Sequence, residues 1–238
     1  MNTLRPSKLS DILGQKQVIN VLNINIKSAK HREDCLPHTL FYGPPGTGKT
    51  TLANAIANEM GCSIQVANGA NLPYIMRVEE HSILFIDEIH RMTKIVEEFL
   101  YPVMEDYKVD MSVAGKDMIG ETISIDVPKF TLVGATTEYG SLSKPLIDRF
   151  EHKHTLKLYN NIDLKQIVDY NSIKLNLNMS DNAAKFVTRV SRGTPRIANS
   201  LLQWLRDYRI AQGLESLSEG DVEAAMGMKG IDSEGMTE

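Results

Sequence analysis

The fold class of this chain follows from the segment Gly43-Pro-Pro-Gly-Thr-Gly-Lys-Thr50. It fills every position of the G-x-x-x-x-G-K-[ST] phosphate loop, a match expected by accident about once in a hundred chains of this length. Its glycines let backbone N–H groups turn inward toward phosphate oxygens. We expect Lys49 to neutralise the β- and γ-phosphates of a nucleotide and Thr50 to offer its hydroxyl to Mg²⁺. The predicted contacts from this segment are Gly43, Pro44, Pro45, Gly46, Thr47, Gly48, Lys49, Thr50 and Thr51.

The residues on either side give the loop the context that phosphate binding requires. Residues 38–42 form a short apolar run that predicts a buried strand. Residues 51–60 carry apolar side chains at helical spacing, and Gly61 follows where a helix stop is expected. A helix that begins at the loop presents the positive end of its dipole to anions. This order favours nucleotide binding over the alternative of a plain glycine–proline turn.

An acidic pair follows the next apolar run. Residues 83–86 read Ile-Leu-Phe-Ile, as expected of a central parallel strand, and lead into Asp87-Glu88. Asp87 offers hard oxygen atoms suited to the water shell of Mg²⁺. Glu88 is the candidate base that orients and deprotonates an attacking water. The alternative is an acidic strand end that only faces solvent, and a complete phosphate loop makes it the weaker interpretation.

Composition limits the kinds of partner. The 238 residues include 26 basic and 30 acidic side chains, which give a formal net charge of −4. This charge lacks the basic footprint of a protein that grips DNA unaided, so we expect DNA contact to be local or shared with a partner. The only cysteines, Cys35 and Cys62, form no paired motif, and no apolar run is long enough for a leader or a membrane span. We expect a cytoplasmic protein without membrane contact.

Strands and helices alternate up to about residue 158, and only helices follow. The alternation predicts a parallel sheet covered on both faces, followed by a separate small helical layer, with the boundary at residues 159–162. The predicted strands are residues 38–42, 63–67, 83–86, 130–137 and 154–158. The predicted helices are residues 15–29, 51–60, 72–80, 93–105, 163–174, 181–192, 195–212 and 218–226.

Residues 107–127 interrupt this rhythm. Apolar and polar residues alternate over 109–113 and again over 123–127, with a glycine-bearing loop between them, which predicts a β-hairpin. The loop carries Met118 and Ile119, apolar side chains that a solvated tip does not need. Two interpretations stay open: a docking tooth for another protein, or a hairpin packed on its own domain.

Two arginines are candidates for contact with phosphate. Thr194 and Pro195 fit the N-cap and first position of a helix, so Arg196 would project from a first turn that favours anions. Arg149 follows the predicted strand that ends in two threonines. The alternatives are a surface side chain for Arg196 and, for Arg149, a salt bridge with Asp148 or another neighbour.

Several strings together resemble the RuvB family, the AAA+ motors of Holliday-junction branch migration, over nearly the whole chain. They are L-R-P from Leu4, G-Q from Gly14, Y-G-P-P-G-T-G-K-T-T-L-A-N from Tyr42, L-F-I-D-E-I-H-R from Leu84, V-E-E-F-L-Y-P-V-M-E-D from Val96, F-T-L-V-G-A-T-T from Phe130 and R-G-T-P-R-I-A-N from Arg192. The resemblance implies an α/β fold: a P-loop AAA+ parallel-sheet sandwich with an inserted β-hairpin in residues 1–160, and an all-helical lid in 161–228. Residues 229–238 would be a tail toward a winged-helix domain.

The resemblance also implies roles for single residues. Thr137, or its neighbour Thr136, would be the sensor beside the attacking water, and Arg149 the arginine finger that enters the next subunit's site. The catalytic residues it implies are Glu88, Lys49, Thr137, Arg149 and Arg196. The nucleotide contacts it adds to the loop are Arg5, Tyr159, Pro195 and Arg196, with Tyr159 near the adenine.

The same resemblance implies ATP and Mg²⁺ as cofactors and a homo-oligomeric, hexameric ring. It implies that hairpin 107–127 contacts a RuvA-like junction-binding protein and that a four-way DNA junction is the substrate. The chain departs from the family pattern where Glu138 and Ile147 replace arginines, where residues 68–80 are shortened, and where the winged-helix domain is absent. We therefore expect intact ATPase parts and weak or indirect contact with DNA.

Two other functions stay open at this point. The first is a clamp-loader-type subunit of a replication machine; such subunits carry Ser-Arg-Cys at the finger, where this chain has Pro-Leu-Ile-Asp-Arg-Phe150, and they lack the hairpin. The second is an interaction module that binds ATP as a structural ligand and uses the hairpin to recruit or block a partner.

Overall fold

The computed structural model describes residues 4–70, 78–115, 118–232 and 235, with the backbone alone for 110–115 and 118–123. The strands within this part are β1 (Thr39–Tyr42), β2 (Ile64–Asn68), β3 (Ile83–Asp87), β4 (Lys108–Gly115), β5 (Met118–Asp126), β6 (Thr131–Thr136) and β7 (His152–Thr155). The α-helices within it are α1 (Lys16–Arg32), α2 (Lys49–Met60), α3 (Lys94–Asp106), α4 (Lys144–Asp148), α5 (Asn161–Lys174), α6 (Asp181–Val190), α7 (Pro195–Ala211) and α8 (Glu219–Gly227).

Five strands form a parallel sheet in the order β2-β3-β6-β1-β7. In the register of neighbouring strands, Tyr42 pairs with Thr136 and Asn68 pairs with Asp87. The carboxyl ends of β1, β3 and β6 therefore meet at one edge of the sheet, which is where parallel α/β sheets bind ligands. This confirms the predicted parallel sheet.

The central strands are buried along their whole length. All six residues of β6 are buried, as are the first four of β3, which is typical of strands in a parallel sheet that is covered on both faces. Phe85, Phe130 and Phe150 are fully enclosed. Continuous apolar runs rather than alternation were the correct signal for these strands.

The inserted hairpin is present as a two-stranded antiparallel sheet of β4 and β5. It begins after Tyr107, which ends α3 in the left-handed region at φ 52°, and its register shifts between Val113 and Gly115. This confirms the prediction for residues 107–127. The side chains of Met118 and Ile119 lie outside the described part, so their role stays a prediction.

The helices after residue 160 pack around their own core. Leu164, Val187 and Leu202 are among its fully buried members. Side chains of Asn160, Ser180 and Ser218 accept hydrogen bonds at the starts of α5, α6 and α8, and Ser218 forms a capping box with Asp221. The helical lid predicted from the sequence is confirmed.

Several boundaries differ from the expectation, and one helix was not expected. The last strand is His152–Thr155 rather than 154–158, because β1 pairs with it from Thr39 opposite His152. Helix α6 ends at Val190 rather than 192, since Arg192 and Gly193 have positive φ. The short helix α4 was not predicted, although Ser143 caps it and a proline sits in its first turn. The helix predicted for 72–80 lies mostly outside the described residues.

Contacts divide the chain into two compact units. One comprises Met1–Lys16, Pro44–Gly48 and Leu156–Glu238, and the other Gln17–Gly43 and Lys49–Thr155. The tip of the phosphate loop thus belongs to the helical unit, and its two ends belong to the sheet unit. The linear division at residue 160 stays a prediction. Within the described part of the chain, none of the helices has the length and apolar character needed to cross a bilayer.

Candidate nucleotide-binding site

The phosphate loop has the backbone that its glycines predict. Gly43, Gly46 and Gly48 all have positive φ, at 139°, 76° and 111°. Residues with a side chain rarely adopt these backbone conformations, so glycine is needed for the chain to curl between β1 and α2. The N–H of Gly43 donates to the carbonyl of Thr136 at 3.3 Å, which ties the start of the loop to β6.

Lys49 and Thr50 open helix α2 directly behind the loop. The Lys49 side chain is buried, and its Nζ donates to the carbonyl of Gly43 at 2.8 Å. A buried ammonium is held near the loop backbone only because it is partnered. An ammonium, the first N–H groups of a helix and the hydroxyl of Thr50 form a donor set that fits a polyphosphate and its Mg²⁺.

The loop tip packs closely against the start of α7. A Cβ placed on Gly46 would lie 2.6 Å from Cγ2 of Thr194 and 3.1 Å from Cβ of Arg196. Pro195 occupies the first turn of α7, as predicted, and Arg196 is exposed beside the loop. Thr194 stands at the N-cap, but its side chain makes no capping bond; its hydroxyl donates instead to the carbonyl of Arg192 at 3.4 Å.

Tyr159 contacts both the segment that precedes α1 and the turn that precedes α7. Its N–H donates to the carbonyl of Gly193 at 2.8 Å. A Cβ on Gly14 would lie 2.5 Å from its ring, so the ring closes over that glycine. Burial raises the pKa of the Tyr159 phenol to about 12. Arg5, the other implied contact in this unit, is exposed.

The acidic pair sits at the carboxyl end of β3 in a constrained turn. Asp87 accepts the N–H of Glu88 on Oδ1 at 3.1 Å, and Glu88 adopts a left-handed backbone at φ 49°. Gly69 approaches so closely that a Cβ there would meet the Glu88 carbonyl oxygen at 2.4 Å. The local backbone therefore fixes where the Glu88 side chain begins.

Thr136, at the end of β6, and Thr137, which follows it, have different hydrogen-bond partners. Thr137 donates its hydroxyl to Glu88 Oε2 at 3.2 Å. Thr136 is fully buried, and its Oγ1 lies 3.0 Å from Nδ1 of His90 and accepts the N–H of Glu138. Of the two sensor candidates, Thr137 is therefore the one in contact with Glu88.

Arg149 is held within its own chain. Its Nη2 lies 3.0 Å from Oε1 of Glu105, and its guanidinium stacks 4.0 Å from the centre of the Tyr101 ring. Nη1 donates to the carbonyl of Pro145. The salt bridge considered from sequence exists, with Glu105 rather than Asp148 as the acid. Tyr101 is in turn fixed by a hydrogen bond to Glu97 at 2.6 Å.

Sequence reasoning missed three residues here: His90, Glu105 and Tyr101. Each lies in a string that resembles the family, yet periodicity gave none of them a role. Their side chains contact residues of distant segments, which spacing along one helix or strand does not reveal. No group of three or more His, Cys, Asp or Glu residues suited to a metal ion occurs among the described residues.

Comparison with known proteins identifies relatives over nearly the whole chain. Residues 4–156 match the profile of the Holliday junction DNA helicase RuvB P-loop domain, and residues 159–232 match that of the RuvB AAA lid domain. The Holliday junction branch migration motor RuvB of Thermotoga maritima is 38% identical with a TM-score of 0.89, covering 99% of this chain and 76% of that one. A substituted variant of the same protein gives 37% identity and a TM-score of 0.90, over 98% and 76%.

Proposed function

The chain belongs to the RuvB family of Holliday junction branch-migration motors, and from this membership we propose that it binds ATP with Mg²⁺ and hydrolyses it. The observation that carries the proposal is the contact of Glu88 with Thr137 at the carboxyl edge of the sheet. The phosphate loop starts at the same edge, after β1, and the Lys49 side chain contacts the start of that loop. A candidate base and a polyphosphate cradle on one edge are what phosphoryl transfer needs.

In this proposal the loop and helix α2 hold the triphosphate. Backbone N–H groups of Gly46 to Thr51 would donate to phosphate oxygens, and the Nζ of Lys49 would exchange its loop carbonyl for the β- and γ-phosphates. The Thr50 hydroxyl and the Asp87 carboxylate would hold the Mg²⁺. Bound Mg²⁺ supplies charge neutralisation on the phosphates.

Glu88 would act as the general base. Its carboxylate takes a proton from the attacking water while the water oxygen bonds to the γ-phosphorus, and the bond to the bridging oxygen breaks to give ADP and phosphate. The hydroxyl of Thr137, 3.2 Å from Glu88, would orient the carboxylate and the water. This hydrogen bond restricts a side chain that otherwise has several rotamers.

Arginines would neutralise the charge that develops on the phosphates. Arg196, beside Gly46, would approach the γ-phosphate in the same subunit, and Tyr159, Pro195 and Arg5 would line the nucleotide. Arg149 would act in the neighbouring subunit, which makes hydrolysis depend on assembly into a homo-oligomeric ring of six. Arginine fingers raise such rates by ~10³ to 10⁵.

The hairpin and the net charge fit a motor that contacts DNA with help. The antiparallel arm formed by β4 and β5 would carry the RuvA-like partner, which would hold the four-way junction. The net charge of −4 supports shared rather than independent DNA binding. Both cysteines are free thiols, which supports a reducing, cytoplasmic setting.

Steady-state ATP hydrolysis tests this function. Turnover is measured for the protein alone, with a four-way junction, and with the junction plus a RuvA-type protein, against matched linear duplex. We expect stimulation by the junction and its binding protein together. Stimulation by a sliding clamp and primed DNA instead would support the clamp-loader alternative, and binding of ATP without turnover in any mixture would support the interaction module.

A further inference from the structure

The ring of His90 lies between two carboxylates. His90 belongs to the 3-10 turn Ile89–Arg91 that follows β3, and its side chain is 8% exposed. Its Nδ1 lies 3.3 Å from Oε2 of Glu88, and its Nε2 lies 3.6 Å from Oε1 of Glu138. We call the three residues Glu88, His90 and Glu138 the His90 relay.

His90 and Glu138 make further contacts that hold them in place. The hydroxyl oxygen of Thr136 lies 3.0 Å from Nδ1 of His90 and accepts the N–H of Glu138 at 2.9 Å. Glu138 Oε2 accepts the hydroxyl of Ser141 at 3.0 Å. The imidazole therefore has an oxygen neighbour at both nitrogens, and rotation of the ring would break contacts at both ends.

We propose that His90 is a positioning residue for ATP hydrolysis, which holds the Glu88 carboxylate in place while Glu138 orients the ring. This inference rests on the proposed function of Glu88 as base. Thr137, the residue after β6, donates to the same oxygen of Glu88, so the carboxylate has neighbours on two sides that restrict it. A base misplaced by about 1 Å can lose about a hundredfold in rate, so such support affects turnover more than nucleotide binding.

Glu138 is more exposed than Glu88, which makes it the better of the two glutamates to substitute in a test. The side chain of Glu138 is 60% exposed, whereas that of Glu88 is 28% exposed. A change at Glu138 therefore alters the far nitrogen of His90 without touching the residue that meets water and phosphate. The side-chain contact through which such a change would reach Glu88 is the contact of Glu138 with the His90 ring.

The first test reads the ring directly and needs no turnover. Nitrogen-15 spectra of the six histidine rings are recorded for wild type, Glu88→Gln, Glu138→Gln and Glu98→Gln, with His90→Asn used to assign the signal. We expect both relay variants to shift the His90 ring nitrogens. Glu98→Gln is the matched control, an exposed acid paired only with Lys94 on α3 among the contacts described for its side chain. An unmoved His90 signal in Glu138→Gln overturns the His90 relay.

The second test is a double-variant cycle on ATP turnover. His90→Ala should lower kcat about tenfold or more with KM within about twofold, since a base is misplaced while binding stays intact. His90→Asn should retain more activity, because its amide nitrogen can replace Nδ1 but does not reach Glu138. Glu138→Gln should lower kcat about threefold in wild type and have no effect beside His90→Asn.

The outcomes separate the two proposals. No turnover by wild type contradicts the ATPase function, and the ring spectra alone then decide the His90 relay. Turnover in which the effects of His90→Asn and Glu138→Gln simply multiply overturns the relay and leaves the ATPase function standing. A fall in kcat that His90→Asn does not rescue, with KM rising in step, would show a structural role only.

Discussion

Arg149 and Glu105 form an ion pair within one chain, with Nη2 of the arginine 3.0 Å from Oε1 of the glutamate. The carboxylate is about half exposed, so solvent screens the pair and its contribution is at most about 1 kcal/mol. Tyr101 supports the guanidinium from one side. A pair this weak can be exchanged for the phosphates of a neighbouring subunit, so the resting contact is compatible with action in trans.

Replacement of Arg149 tests that action. Arg149→Ala should lower the rate of ATP hydrolysis about 10³-fold or more, because the charge that develops in the transition state is left unpaired. Binding of MgATP by calorimetry should stay within about twofold, since the arginine serves the adjacent site. Glu105→Gln removes only the resting partner and is the matched control. Lost nucleotide affinity in Arg149→Ala would show that the arginine is structural.

Mixing subunits distinguishes action in trans from action in cis. Arg149→Ala and Glu88→Gln should each be inactive alone. Mixed in equal amounts, they should regain part of the wild-type rate, because an intact arginine from one subunit can serve an intact base in the next. Phosphate release is measured on both single proteins and on the mixture. A mixture as inactive as its parents, although assembled, contradicts the trans assignment.

The loop tip should tolerate no side chain at Gly46. Its φ of 76° costs a non-glycine residue about 1–2 kcal/mol, and a Cβ would also lie 2.6 Å from the methyl group of Thr194. Gly46→Ala should therefore raise the Kd for MgATP about tenfold or more. Adding Thr194→Ser removes the methyl group and should restore part of the affinity.

Gly140→Ala is the control for this substitution, because its Cβ would meet nothing within 4 Å. Binding is compared by calorimetry for the three variants and wild type. If Gly46→Ala binds as tightly as wild type, the close packing of loop tip and helix start is not what shapes the site.

The phosphate loop and the acidic pair were predictable because each is a contiguous string. The positive φ of Gly46 and the start of α2 directly behind the loop follow from the local sequence. The contacts of His90 with Glu138 and of Arg149 with Glu105 were not predictable, since each joins segments more than 40 positions apart along the printed chain. Each pair meets only when the strands and helices of the sheet unit have packed together.

The predicted boundaries were wrong where pairing with a distant strand, rather than the local sequence pattern, decides where an element begins. The strand before Tyr159 was placed two residues late because β1, not its own apolar content, sets the register at His152. Helix α4 was overlooked although Ser143 and Pro145 supply start signals. Short elements have too few residues for periodicity to show.

His38 should make stability depend on pH. It is buried at the base of β1, its Nδ1 accepts the N–H of Leu132 at 2.9 Å, and its Nε2 contacts the carbonyl of Met104 at 3.1 Å. Burial lowers the pKa of His38 from 6.5 to about 4, although the Met104 contact opposes this. Between pH 6.5 and 4, His38 therefore binds a proton in the unfolded chain but not in the folded chain. The free energy of unfolding keeps its full contribution from neutral His38 above pH 6.5 and falls by about 3 kcal/mol as the pH is lowered toward 4.

Urea unfolding followed by circular dichroism between pH 7.5 and 4.5 checks this. His38→Gln should be less stable at pH 7.5, yet its free energy of unfolding should fall less with acid than that of wild type. His31→Gln, at an exposed position of α1, should follow the wild-type curve. Equal pH dependence for His38→Gln and wild type contradicts the assignment.

The most direct measurement is phosphate release from MgATP by wild type and by Glu88→Gln, with nucleotide binding determined on the same samples. We expect steady release by wild type, and no measurable release by Glu88→Gln at unchanged affinity, because the variant keeps the cradle and loses only the base. Equal release by both proteins, or no nucleotide bound by folded wild type, would contradict the account.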